Sequence, residues 1–355
     1  GGRAAAITTP SGKTVRVPAF FNQPCARREQ EAGGDEIVEP SGAECFTVRY
    51  RVLEVGPHRV SFELREGGKY EVAEQSWQND KRFTPDGKPQ AVMARSDWGG
   101  AHYENSYGNG KRLIEKVRFV PGTVTATLAL REPAFVAAAE AAPGKKPFHG
   151  FLRVAADGRH FQFDDGTFFY ALGPCLRSPS DSRVPYIDRK WNAENIERWS
   201  RRGTYQFDEY FAEFEKAGMN WARVWMCSWW GALEWRRDWP GFQGVGRYNL
   251  LNAWRMDHLL QTAEEKGVFI DLCLTNHGQF SLFIDAEWRN NPYNAAFGGP
   301  LQSAAEFFSR ADAKIAHQNK LRYMTARYGH SPAVMAWALF SEVEQLTAAI
   351  KQSWF

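Results

Sequence analysis

The chain has 355 residues, 43% of them hydrophobic and 24% charged, which is ordinary for a globular protein. That length suggests about two domains and cores that need no disulfide or metal staple. The 44 basic and 41 acidic side chains leave a formal charge of +3 without a basic cluster, which argues against a nucleic-acid or membrane-surface partner.

No apolar run of about 18 residues is present, so no transmembrane helix is expected. The five cysteines, Cys25, Cys45, Cys175, Cys227 and Cys273, are scattered and lack metal-site spacing. Cys25 and Cys45 could form one disulfide in an exported protein, or all five could be free thiols. The chain opens at Gly1-Gly2 rather than Met, as if the natural start were missing or processed away. Its strongest bias is aromatic: of 14 tryptophans, only Trp77 and Trp98 precede residue 190. The two halves of the chain are therefore chemically different.

In chain order, residues 1–142 carry strand signals. Residues 46–52 and 58–64 alternate or are β-branched, with Gly56-Pro57 as a turn between them. Residues 116–120 and 123–128 flank a Pro121-Gly122 turn. Short strands with such punctuation predict an antiparallel, immunoglobulin-like sandwich. The polar stretch 75–111 reads as long loops. An Ala-rich segment leads into a Pro/Gly/Lys linker at 143–147. A small hairpin, 151–154 with 160–163, is expected around Asp157-Gly158.

From residue 168 the pattern alternates between strands at 168–172, 219–226, 268–274 and 334–340 and helices at 205–216, 252–266 and 304–328. The first helix has an apolar stripe of Phe207, Tyr210, Phe211 and Phe214. Gly218, Gly267 and Gly329 stand as caps. Helix, glycine, apolar strand and polar loop, repeated three times, is the grammar of parallel βα units. No GxGxxG or GxxxxGK[ST] follows a strand, so a nucleotide-binding sheet loses its main support. The expectation is a multidomain chain. An all-β sandwich at 1–142 is joined by the 143–147 linker to 148–355, which form about the first four units of a (β/α)8 barrel.

The long loops after these strands hold the candidate chemistry, since a barrel builds its site at the strands' C-terminal ends. Glu342 sits two residues past 336–340, where a carboxyl faces the barrel mouth and can protonate a leaving oxygen, then activate water. It could instead be a first-turn helix acid, and Glu344 is a competing carboxylate. Arg223, inside the second strand, needs a paired carboxylate if it faces the interior. Asn276, His277 and Gln279 follow the third strand and suit vicinal hydroxyls, or they cap a loop. Trp225, Trp229, Trp230, Trp235 and Trp239 crowd one loop, where an indole face can stack on a pyranose ring or pack into a core.

Several segments resemble cellulase-like glycoside hydrolases of clan A: NWARVWM at 220–226, GRYNLLNAWRMD at 246–257, NHGQFS at 276–281, NPYN at 291–294 with GGPL at 298–301, and RYGHSPAVMAW at 327–337. The opening PSGKTVRVPAFF at 10–21 is similar to an uncharacterised β-sandwich accessory domain that precedes such bacterial barrels. The resemblance implies retaining hydrolysis of O-glycosyl bonds in a poly- or oligosaccharide by two glutamates, with no cofactor or metal. Glu342 would be the acid/base. Arg223 would orient the nucleophile, and His277 would line the reacting subsite.

The family's Trp-Glu-Leu-Phe-Asn-Glu is here Trp337-Ala338-Leu339-Phe340-Ser341-Glu342. Ser341 thus stands where an asparagine holds the sugar's 2-hydroxyl. In that family the nucleophile follows a seventh strand, so the chain reads as a fragment ending after strand four. It is expected to be inactive without the rest of its barrel. The expected location is secreted or periplasmic, inferred from function alone. Two other readings stand: a non-catalytic carbohydrate-binding relative with a decayed site, and a metal-dependent barrel hydrolase, which would need clustered His and Asp at strand ends.

Overall fold

A computed structural model describes residues 2–79, 94–95, 101–102, 111–130, 135–137, 148–180, 193–282 and 286–342. The proposed linker at 143–147 and Glu344 lie outside these residues.

The N-terminal part is built on two long, bent strand pairs. Strand Gly56–Glu66 pairs with Thr123–Ala129, and strand Lys69–Asn79 pairs with Lys111–Val120. This corrects the expected turn at Pro121-Gly122. The neighbours 111–120 and 123–129 are not partners but successive halves of one arm, opposite 56–79. Pro121-Gly122 faces Gly67-Gly68, and together they form a bend. A Cβ on Gly122 would lie 2.2 Å from the carbonyl oxygen of Glu66, so only glycine fits there. The first strand, Gly2–Thr8, lies between Gly56–Glu66 and Thr14–Pro18, in the sheet that Thr123–Ala129 and Phe135–Ala137 join. Residues 75–79, expected in a loop, belong to the ladder.

The expected strand at 46–52 shortens to Cys45–Thr47. Beyond it, Arg49 donates to Asp257 at 2.7 Å and Arg51 pairs with Glu264. Cys25 and Cys45 carry free thiols, as do the other three cysteines.

The 152–154 and 161–163 strands form the anticipated hairpin, and Phe168–Phe169 adds a third antiparallel strand. The expected first barrel strand at 168–172 is therefore displaced. Its place beside Trp221–Trp225 is taken by residues 172–177. Leu172 O accepts from the Trp221 N–H at 3.2 Å, Arg177 O accepts from Trp225 at 2.9 Å, and a parallel bridge joins Cys175 to Arg223. Pro174 lacks an N–H, which interrupts the ladder and hides this strand from periodicity. Gly173 comes so near that a Cβ would sit 1.8 Å from Trp221 O. The order then runs Trp221–Trp225, Phe269–Cys273 and Val334–Ala338, all parallel and in chain sequence.

Helices α1 (Ala193–Lys216), α2 (Leu250–Lys266) and α3 (Ala311–Tyr328) connect these strands. The stripe Phe207, Tyr210, Phe211 and Phe214 is buried against Ala222, Val224, Ile270 and Leu272 of the sheet, with Met256 and Leu259 of α2 in the same cluster. Burial of each large ring contributes about 2 kcal/mol. Asn249 caps α2 by accepting from the Asn252 N–H, and Gly267 ends it in the left-handed conformation.

Helix α1 starts before the expected residue 205 and α3 after the expected 304, and a carboxylate from the N-terminal part sits at the irregularity in each. Helix α1 is kinked at Gly203 (φ 52°, ψ −121°), and the carboxylate of Glu36 occupies the kink, accepting from the Thr204 N–H at 2.9 Å. The expected helix over 304–328 is broken. A 3-10 turn, Ala304–Phe308, precedes α3. At the break, Glu115 accepts from the Ala311 N–H at 2.7 Å, and its own N–H donates to Ser309 O.

A third contact joins the two parts of the chain. Fully buried Arg327 shares Asp257 with Arg49, and both guanidinium groups lie 5.1 Å from the Phe20 ring centroid. Removing the shared anion would strand two cations in a site with little water. Asp257→Asn is expected to lower the free energy of unfolding by about 3 kcal/mol in urea titrations followed by circular dichroism. The exposed Arg118→Ala, which breaks the Arg118–Glu71 pair, should leave the midpoint unchanged. A loss below about 1 kcal/mol for Asp257→Asn would show that this triad is not a structural clamp.

Candidate active site

The strands' C-terminal ends gather most of the residues singled out in the sequence. Arg223 and Asp271 are paired in register on neighbouring strands, with Nε 3.4 Å from Oδ2. The carboxylate expected beside Arg223 is thus Asp271. Burial raises the Asp271 pKa, and the Arg223 charge opposes that rise. Sequence reasoning overlooked Asp271, although it is the third residue of its strand as Arg223 is of its own. Matching parity would have found it.

Asn276, His277 and Gln279 lie in the loop and 3-10 turn that follow Phe269–Cys273, and all three are buried. Gln279 Nε2 donates to Met226 O at 3.3 Å, which ties this loop to the end of the second strand. Asn276 forms a parallel bridge with Ser341, whose N–H donates to Thr275 O at 2.9 Å. That bridge extends the pairing of the third and fourth strands and sets Glu342 next to His277. Glu342 Oε2 is 3.4 Å from His277 Nδ1, and the glutamate side chain is 45% exposed while the imidazole is buried. The carboxyl is therefore open to a ligand on one side and flanked by a ring on the other.

Glu342 also has φ 54°, the only positive φ at a non-glycine among the described residues. A side chain in that region costs about 1 kcal/mol. Such strain persists where surrounding contacts impose it, often at functional sites.

The tryptophans divide. Trp225 and Trp230 are 4% and 6% exposed and belong to the hydrophobic core, so neither offers an open face for stacking. Trp225 is covered by Arg177, 5.6 Å from its ring, and Trp230 packs 4.7 Å from Phe207. Trp235 is likewise buried, whereas Trp229 and Trp239 are exposed. The local reason is the turn after the second strand. Trp230 N–H donates to Cys227 O at 3.0 Å, and this tight reversal sends residue 230 inward and 229 outward.

A second group of charged residues was not anticipated. Glu234, in the loop after the second strand, is buried and accepts from the Gly246 N–H at 2.7 Å. Lys320 of α3 is 3.4 Å away. Burial, with the Glu234 charge added, pushes the phenols of Tyr248 and Tyr293 upward. Burial and the Lys320 charge push His317 down to about 3. This cluster fastens the Trp-rich loop to α3.

Against the chain as a whole, no protein-family model matches. Two curated proteins are 30% identical to it over 88 residues: mannan endo-1,4-beta-mannosidase F of Aspergillus fumigatus and mannan endo-1,4-beta-mannosidase A of Podospora anserina. The match takes in 25% of this chain and 18% and 21% of those proteins, so the chain spans about a fifth of the curated relatives it matches. Among solved structures, a candidate glycoside hydrolase of Bacteroides vulgatus aligns over 99% of this chain and 48% of its own, at 12% identity and TM-score 0.45. The endo-1,4-beta-mannanase of Rhizomucor miehei aligns over 54% and 48%, at 15% identity and TM-score 0.34. Among the described residues, no helix is long and apolar enough to cross a membrane.

His317 gives this region a pH signature. Its folded pKa lies below the ordinary 6.5, so the unfolded chain takes up the proton first as pH falls. The stabilisation is complete above about pH 6.5 and is lost toward pH 3, with a slope of up to about 1.4 kcal/mol per pH unit. His317→Gln should flatten the stability profile over pH 6 to 4 in thermal melts. An identical slope in the variant would contradict this assignment.

Proposed function

We propose that this chain belongs to a glycoside hydrolase that cleaves a β-linked poly- or oligosaccharide with retention of configuration. The observation that carries the proposal is Glu342. It is a strained, half-exposed carboxyl at the end of a parallel strand, 3.4 Å from a buried histidine. The partial similarity to two mannan endo-1,4-beta-mannosidases supports the same reading and makes a β-1,4-linked mannan the first substrate to try. The β-rich residues 1–142 are proposed as an accessory domain that buttresses residues 148–355, and export from the cytoplasm follows from a polymeric substrate.

In this reading Glu342 delivers a proton to the glycosidic oxygen as the bond to the anomeric carbon breaks. It then takes a proton from the water that completes the second displacement. His277, with Nδ1 3.4 Å from the carboxyl, is proposed to restrict its orientation. Arg223, balanced by Asp271, supplies fixed positive charge on the interior face, where a second carboxylate would act. Ser341 stands at the position proposed to meet the sugar's 2-hydroxyl, and Asn276, Gln279 and Trp229 are proposed to line the subsites.

Proton delivery matters only when the leaving group is a poor one, and this gives a selective test. In the full-length protein, Glu342→Gln should cut the rate on a mannan oligosaccharide by at least about a hundredfold. It should have far less effect on the first step with a dinitrophenyl glycoside, whose leaving group departs without a proton. Equal losses on both substrates would remove Glu342 from the acid role. Glycan binding without any hydrolysis by the full-length protein would favour the non-catalytic reading.

A further inference from the structure

A cleft of about 380 Å³ opens beside the Trp-rich loop, between it, helices α1 and α2, and the segment carrying Asp35 and Glu36. Its size falls within the roughly 300–1,000 Å³ of small-molecule sites. We propose that it binds a neutral stretch of pyranose chain, as a subsite outside the one at Glu342. This rests on the carbohydrate reading above and adds a place and a chemical class to it.

Three features support the assignment. The first is a pair of exposed indoles on the cleft wall, Trp229 at 44% and Trp239 at 41%. Such large apolar faces are costly to leave in water, and they match the C–H face of a sugar ring. Trp239 is preset: its ring leans on buried Trp235 at 6.1 Å, and turns from Trp239 N–H to Arg236 O and from Phe242 N–H to Trp239 O fix its backbone. A rigid platform loses little entropy on binding.

The second feature is that the charges lining the cleft are already neutralised within the protein. Arg201 Nε is 3.0 Å from Asp35, and Arg255 is paired with Glu36 while donating to Asn252 Oδ1 at 2.7 Å. No unbalanced charge is left among these pairs to select an ionic ligand, yet polar groups line the walls. Ser228, Asn249 and Asn252 are among the polar lining residues. A neutral polyhydroxylated ligand fits both conditions.

The third feature is continuity with the candidate active site. Ser228 lines the cleft and donates to Glu287, whose N–H in turn donates to Gly278 O at 2.9 Å, next to His277. Two hydrogen bonds therefore separate the cleft wall from the loop beside Glu342. The cleft wall and the loop beside Glu342 are thereby held in a fixed relation.

Affinity electrophoresis of the protein through gels containing soluble mannan tests the proposal, with polygalacturonate as the charged control. The unmodified protein should be retarded by mannan and not by polygalacturonate. Trp229→Ala/Trp239→Ala should bind mannan about tenfold more weakly or worse, and Trp239→Phe should keep most of the binding. Trp229→Ala alone, a surface change, keeps the test open if the double variant fails to fold, and should weaken binding in the same direction. Retardation that is unchanged in both alanine variants, equal in the two gels, or absent in the unmodified protein would overturn the assignment. Glu342→Gln separates this from the catalytic reading: in the full-length protein it should cut hydrolysis about a hundredfold or more and leave retardation intact. If that variant still hydrolyses mannan while Trp229→Ala loses retardation, the catalytic assignment fails and the cleft stands.

Discussion

Two buried carboxylates set the geometry on which the rest of the molecule depends. Glu36 and Glu115 both come from the β-rich N-terminal part, and each accepts from the first free N–H of a helical segment in the C-terminal part. A helix start presents unpaired N–H groups and partial positive charge, so a carboxylate there is stabilising, by up to about 2 kcal/mol when partly buried. Here that local preference becomes long-range. The sequence separations are 168 and 196 residues, so the part of α1 after the Gly203 kink and the start of α3 are capped only where the two parts of the chain meet in one register. The Arg49–Asp257–Arg327 triad adds a third fixed point on α2 and α3.

This constraint reaches the candidate site through the sheet. With the three helices positioned, their buried faces seat the strands 221–225, 269–273 and 334–338 in order, and the strand ends bring Arg223, Asn276, His277 and Glu342 to one side. Glu36 does more than cap. Its side chain is 1% exposed and also holds Arg255, which lines the cleft beside Trp229 and Trp239. One carboxylate therefore supports the start of a helix, the joint between the two parts, and a wall of the proposed sugar subsite.

Much of the C-terminal architecture was legible in the sequence. The Phe207–Phe214 stripe, the Gly267 cap and the apolar runs of the last three strands each follow from periodicity and glycine chemistry. Their neighbours were hidden for identifiable reasons. Residues 172–177 pair as a strand, but Pro174 breaks the pattern that would reveal it. Pro121-Gly122 carries the composition of a hairpin turn, yet its flanking strands pair elsewhere, which only the tertiary register decides. The break before α3 depends on Glu115, nearly two hundred residues away. Within the site, Glu342, His277 and Arg223 were readable from their places after or inside strands. The split between open Trp229 and buried Trp225 and Trp230 was not, because one tight turn at Cys227 determines which indole faces inward.

The site at Glu342 is proposed as one half of a two-carboxylate double displacement. The most direct measurement is the anomeric configuration of the first product, read by proton NMR within minutes of adding the full-length protein to a β-1,4-linked mannan oligosaccharide. The β anomer should appear first and then mutarotate. Initial release of the α anomer would mean a single inverting displacement, and the mechanism assigned to this site would be wrong.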